Sequence, residues 1–99
     1  MVKSELIDVL AQKQPHLERK YVELAVGCMI EQMSEALMAN DRVEIRGFGS
    51  FSLHYRPPVT VRNPRSGATL NLPARYSAHF KPGKELRQRV DLSRSKVLD

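Results

Sequence analysis

Ninety-nine residues with 16 lysines and arginines against 11 acids, a net charge of +5, make one basic domain. A single cysteine excludes an intrachain disulfide and a cysteine-based zinc cluster and suits a reducing compartment, and the three histidines have no i, i+4 pair or cysteine partner to suggest zinc. No apolar run approaches the ~18 residues of a membrane span, and the mixed charges of the first twenty residues argue against a secretory signal peptide.

Residues 3–12 read as a short helix, because Leu6, Ile7, Leu10 and Ala11 fall in one stripe on a 3.6-residue period. Glu5 suits its first turn, Val2 is a poor N-cap, and Gln14-Pro15-His16 breaks the pattern. Residues 18–39 read as a long helix whose apolar face runs through Val22, Ala25, Val26, Met29, Met33, Ala36 and Leu37, with Arg19 and Glu23 paired at i, i+4. Met29 and Met33 are expected in a core. Cys28, beside that stripe, is expected to be a buried inert thiol. This face exceeds what one short helix can cover, so a dimer is expected. Asn40-Asp41 ends the helix.

The period then changes to two. Val43 and Ile45, then Phe51, Leu53 and Tyr55, alternate with polar residues around Gly47-Phe48-Gly49, whose glycines can take positive φ in a hairpin turn. Residues 56–76 alternate weakly, with Val59 and Val61 before Asn63-Pro64-Arg65-Ser66-Gly67, and Leu70 and Leu72 after it. Pro57, Pro58 and Pro73 suit strands with free edges, and the segment reads as a two-stranded arm with strands of about eight residues and roughly 26 Å each. Tyr76 to Phe80 returns to strand. Lys81-Pro82-Gly83-Lys84-Glu85 opens a last helix, with Pro82 in its first turn and Leu86 and Val90 on its apolar side. Residues 91–99 show no pattern and are expected to fray.

The charges are segregated. Residues 1–44 hold five bases and eight acids, residues 45–84 seven bases and no acid, and residues 85–99 four bases and three acids. Single-sign blocks repel themselves, so forty residues without a carboxylate point to a polyanion, most often nucleic acid. Catalytic chemistry is poorly supplied. Cys28 has no motif; His16, His54 and His79 lie on three separate segments; the basic block has no carboxylates for a metal. No enzyme activity, cofactor or metal is expected. Arg56, Arg62, Arg65 and Arg75 lie on or near the arm, with Arg46, Lys81 and Lys84 flanking it. Arginine grips phosphate and enters narrow grooves, and a two-stranded ribbon can track a groove. Pro64 at the tip reads as a rigid wedge for a base step.

Arg46-Gly47-Phe48-Gly49-Ser50-Phe51, Arg62-Asn63-Pro64-Arg65-Ser66-Gly67 and Phe80-Lys81-Pro82-Gly83-Lys84-Glu85-Leu86 resemble the signature of the bacterial HU and integration host factor family, in ungapped register from Lys3 to about Val90. The resemblance implies an α+β fold: a helical base with a three-stranded antiparallel sheet, extended into a long two-stranded arm, in an intertwined dimer. It implies one domain over residues 1–90, with the arm at about 56–76 and a frayed tail at 91–99. It implies double-stranded DNA as ligand and a homologous alpha-type subunit as partner, with a homodimer when the chain is alone, no membrane, and a place in the bacterial nucleoid. Pro64 is implied to intercalate while Arg62, Asn63 and Arg65 grip the groove. Arg42, Glu44 and Arg46 are implied to select a sequence element, and Lys3, Ser4, Lys81 and Lys84 to hold phosphates. A DNA-bending protein with sequence preference is the leading expectation. A homodimeric HU-type protein with little preference is the alternative, and an RNA-binding module is a third that lacks the stacking sheet or Gly-X-X-Gly clamp it needs. The chain departs from the family at Val2, Gly27, Cys28, Val61, Thr69 and Asn71.

Overall fold

The structure, a computed structural model, describes residues 1–94. It forms two compact units, one of Met1–Ala36 and a second that begins at Leu37.

The first unit is a helical hairpin. Helix α1, Lys3–Lys13, starts at Val2 without a side-chain cap, with Glu5 in its first turn and Lys13 in its last. Pro15 disfavours helical geometry at the residue before it, and the chain leaves α1 at Gln14, whose N–H still donates to the Ala11 carbonyl. Helix α2, Arg19–Met38, is within one residue of the expected bounds at each end. It stops at Asn40, which takes a left-handed φ of 60° and donates its N–H to Leu37. Asparagine adopts that conformation more readily than most residues.

Ile7, Val22 and Val26 are the buried core of this unit, with Leu10 and Ala11 packed against them. Arg19 ties the two helices on the outside, donating from Nη2 to Asp8 Oδ1 at 2.6 Å and from Nη1 to Glu23 Oε2 at 3.4 Å. The hydrogen bond and charge of Asp8 push the Arg19 guanidinium above its already high value, so it stays cationic. Both partners are exposed, so the pair orients the helices more than it stabilises them.

Two expectations for α2 change. Met29 is 57% exposed in the single chain, and Tyr21, Leu24 and Ile30 are exposed with it. Cys28 is exposed too. It sits two residues past Val26, about 200° around the helix from the buried stripe, so it faces away from α1.

The second unit begins with strand β1, Val43–Ile45, and a turn closed by Phe48 N–H on the Ile45 carbonyl. Gly47 takes φ +83°, as the turn requires. Gly49 acts differently from the expectation. It lies in strand β2, Gly49–Arg56, and a Cβ there would sit 2.6 Å from the Lys81 carbonyl oxygen and 2.7 Å from the Phe80 ring. Its value is the missing side chain, not its φ.

Strands β3, Val59–Arg62, and β4, Thr69–Leu72, form the arm, and β5, Arg75–Pro82, returns beside β2. The sheet order is β1-β2-β5, with β3-β4 separate and every pairing antiparallel. The arm strands have four residues each, half the expected length, because Pro57-Pro58 and Pro73 interrupt the ladder. The register nevertheless runs through the break: three steps outward from Arg56↔Arg75 along each strand lead to Val59↔Leu72. The prolines remove hydrogen bonds without slipping the pairing, so side chains keep their faces from body to arm.

Pro82 ends β5 opposite Gly49 instead of opening the last helix. β5 is an edge strand, where a missing donor is tolerated. Gly83 caps helix α3, Lys84–Leu92, and donates its N–H to Phe48 at 2.8 Å. α3 therefore enters the segment expected to fray; residues 95–99 of that segment lie outside the described residues. Phe80 packs beside Phe51 at 4.7 Å and Phe48 at 5.4 Å, centroid to centroid, which fixes the apolar side of this unit.

Candidate nucleic-acid interface

Directly opposed residues of an antiparallel pair share a face, so the register assigns every strand residue. Phe51, Phe80, Leu53, Ala78, Tyr55 and Tyr76 lie on one side, and Tyr55 meets Tyr76 edge to face at 5.5 Å. Ser50↔Lys81, Ser52↔His79, His54↔Ser77 and Arg56↔Arg75 lie on the other. Glu44, opposite Ser50, joins this polar side from β1.

Arg56 and Arg75 face each other at its outer end. Like charges directly opposed cost stability in a sheet. Arg56 Nε donates to Ser77 Oγ at 3.1 Å, and no acid stands near in sequence to neutralise either guanidinium.

At the inner end Arg42, Glu44, Arg46, Lys81 and Lys84 line one hollow. Arg42 Nη2 lies 3.8 Å from Glu44 Oε1, a loose pair with both side chains exposed. The structure thus brings together the β1 candidates and the Lys81 and Lys84 candidates. It adds Arg87, which sequence reasoning passed over. The signal was present: Lys84 and Arg87 are three apart, which puts them on one face of a helix.

The arm tip is built by its own side chains. Asn63 Oδ1 accepts the backbone N–H groups of Arg65 at 2.8 Å and Ser66 at 3.4 Å. The Asn63 carbonyl accepts from Gly67, whose φ is +72°, and Asn63 N–H donates to Ala68. Ser66 Oγ accepts the Ala68 N–H at 3.2 Å. Pro64 stands exposed at the head of this turn, with Arg62 and Arg65 on either side. Thr60 Oγ1 donates to Asn71 Oδ1 at 2.9 Å across the arm, so Asn71, one of the departures from the family, supports the ribbon. Lys3 and Ser4 are exposed on the first turn of α1, in the other unit.

His54 and His79, assigned to separate segments above, are stacked, with ring centroids 4.4 Å apart and planes at 20°. They are diagonal neighbours on the polar side, and only the register of β2 on β5 reveals it.

The chain as a whole is similar to known proteins. The sequence profile described as "Bacterial DNA-binding protein" covers residues 1–91. The chain belongs to the bacterial DNA-binding protein family. Within that family, integration host factor subunit beta of Thioalkalivibrio sulfidiphilus is 63% identical over 91 residues, covering 92% of this chain and 95% of that one. The subunit beta of Hahella chejuensis is 61% identical over 93 residues, covering 94% and 95%. Among solved structures of the family, HU of Anabaena in a cocrystal with DNA superposes with a TM-score of 0.80 at 32% identity, over 91% of this chain and 97% of that one. HU of Thermotoga maritima gives 0.62 at 32% identity, over 91% and 98%. Among the described residues no helix is long and apolar enough to cross a membrane.

Proposed function

We infer that this chain is an architectural DNA-binding subunit of the integration host factor beta type, which bends duplex DNA with sequence preference. It acts in the bacterial nucleoid in recombination, replication and the control of gene expression. The observation that carries this reading is the continuous polar side of β2 and β5. It places Arg56 against Arg75, holds no carboxylate of its own strands, and leads in unbroken register to an arm tipped by exposed Pro64. Such a surface is unfavourable alone and is relieved by phosphates.

The residue roles follow from position. Pro64 enters a base step as a wedge, the mode described for this family. Arg62 and Arg65 hold the groove walls beside it. Asn63 keeps the turn in shape with its oxygen and has its amide N–H groups left to donate. Arg42, Glu44 and Arg46 select sequence beside the hollow where Lys81, Lys84 and Arg87 take phosphates. Lys3 and Ser4 offer a further phosphate contact at the start of α1. Residues 1–90 work as one DNA-binding domain, a reading supported by the span of the family profile. The partner is a homologous alpha-type subunit, seated on the exposed apolar face of α2; a second copy serves when the chain is alone.

The HU-type alternative has weaker support, since identity is 63% to a beta subunit and 32% to the HU structures. No catalytic role is assigned. The decisive measurement is the distance between fluorophores on the ends of a duplex of about 35 base pairs at saturating protein. A marked shortening on binding is expected, and an unchanged distance overturns the bending role.

A further inference from the structure

We propose that the stacked His54–His79 pair is a proton-linked phosphate contact, so that DNA binding takes up protons and strengthens as pH falls. The inference rests on the DNA-binding reading of the polar side of β2 and β5.

Both rings are exposed on that side, and their stacking at 4.4 Å brings two imidazoles to one patch of surface. The charged neighbours are almost all cations. Arg56 on β2 and Arg75 on β5 lie outward of the pair, and Lys81 on β5 lies inward. Glu44 on β1 and Arg42 just before it flank the inner end, 3.8 Å apart, and the Glu85 carboxylate lies beyond them next to Gly47. Protonating an imidazole here adds a cation among cations, and protonating both sets like charges face to face. A DNA phosphate against this face reverses the balance, because it pairs with each new charge. Imidazole changes charge between about pH 5 and 8, the range where such a reversal is felt.

The sign follows by linkage. If the DNA-bound state carries more protons than the free state, affinity rises as pH falls through the imidazole range and levels off above it. Where a full proton is taken up, affinity gains about tenfold for each pH unit of fall, and partial uptake lowers that slope in proportion. The added phosphate contact also makes the slope of log K against log salt steeper by about 0.9 at the lower pH.

The test is titration calorimetry of the full chain with a duplex at pH 6.5, in two buffers of different ionisation heat, repeated with His54→Gln/His79→Gln. Net proton uptake by the wild type, with most of it lost in the variant, is expected. Zero uptake by the wild type overturns the proposal without needing the variant to fold. Full uptake by the folded variant overturns it as well, since His16 or another group would then carry the protons. Wild-type binding at pH 8.0 in low salt is scored separately. Its absence would bring down the DNA-binding reading itself, and the inference with it.

Discussion

Pro64 and Asn63 divide the work of the arm tip, and substitution separates them. Pro64 makes no backbone hydrogen bond as a donor, and its turn is held by Asn63, Ser66 and Gly67. Pro64→Ala should therefore leave the turn and the thermal stability almost unchanged. It should reduce the DNA bend more than the affinity, because the arginines remain to neutralise phosphate. The end-to-end distance of a bound duplex measures this, and a bend equal to the wild type's removes the wedge role. Asn63→Ala deletes the acceptor of two N–H groups and should loosen the tip, weakening bending and binding together. Gly49 shows the opposite case, a residue whose substitution strikes the fold. Gly49→Ala drives a methyl group into the Lys81 carbonyl and the Phe80 ring. A loss of about 1–3 kcal/mol is expected, read as a lower denaturation midpoint. The sequence offered Gly49 as a turn glycine. Its actual constraint comes from Phe80, thirty-one residues away, which local reading does not reach.

At the scale of elements, period was enough where partners were local. The 3.6-residue stripe placed α1 and α2 within a residue or so, and the period of two placed β1 and β2. It was not enough where one element decides another. Pro82 has good helix-start chemistry, yet pairing with Gly49 draws it into β5. His54 and His79 become neighbours only through register. The candidate site rests on charge segregation, which needs no pairing to be seen. Arg46, Arg56, Arg75 and Lys81 stood out from the missing acids alone. On α2, Gly27 lies on an open surface of mixed character with Lys20, Glu23, Leu24, Cys28 and Glu31, and nothing comes within 4 Å of an added Cβ. Gly27→Ala should raise stability by about 1 kcal/mol, since alanine loses less backbone entropy in a helix. A rise in denaturation midpoint checks this, and a fall would place a partner chain on that surface.

At the scale of the whole molecule, the buried side chains are too few to account for a stable fold from one chain. Among the described residues only Ile7, Val22 and Val26 are buried hydrophobics, while Tyr21, Met29 and Ile30 stand exposed on the same long helix. Burying a large aliphatic or aromatic side chain is worth about 1.5–3 kcal/mol, so covering even these three changes a marginal hairpin into a stable one. On the proposed function the cover is a homologous subunit, which links folding to association. Stability of the wild type should then rise with protein concentration, as mass action demands. Met29→Glu introduces a carboxylate that stays solvated in the free chain and loses that solvation only on association. It should leave the isolated chain's helices little altered in their local preferences but weaken the dimer by several kcal/mol. Sedimentation at micromolar concentration separates the cases: a wild-type dimer and a dissociated or unfolded Met29→Glu are expected. The consequence reaches DNA, because a monomer has one arm and half the cationic surface. With six to eight phosphates neutralised by a dimer, log K should fall against log salt with a slope of about −5 to −7, and losing half of those contacts should halve it. A slope as steep in Met29→Glu as in the wild type, from a protein shown to be monomeric, would mean that one chain wraps the DNA alone.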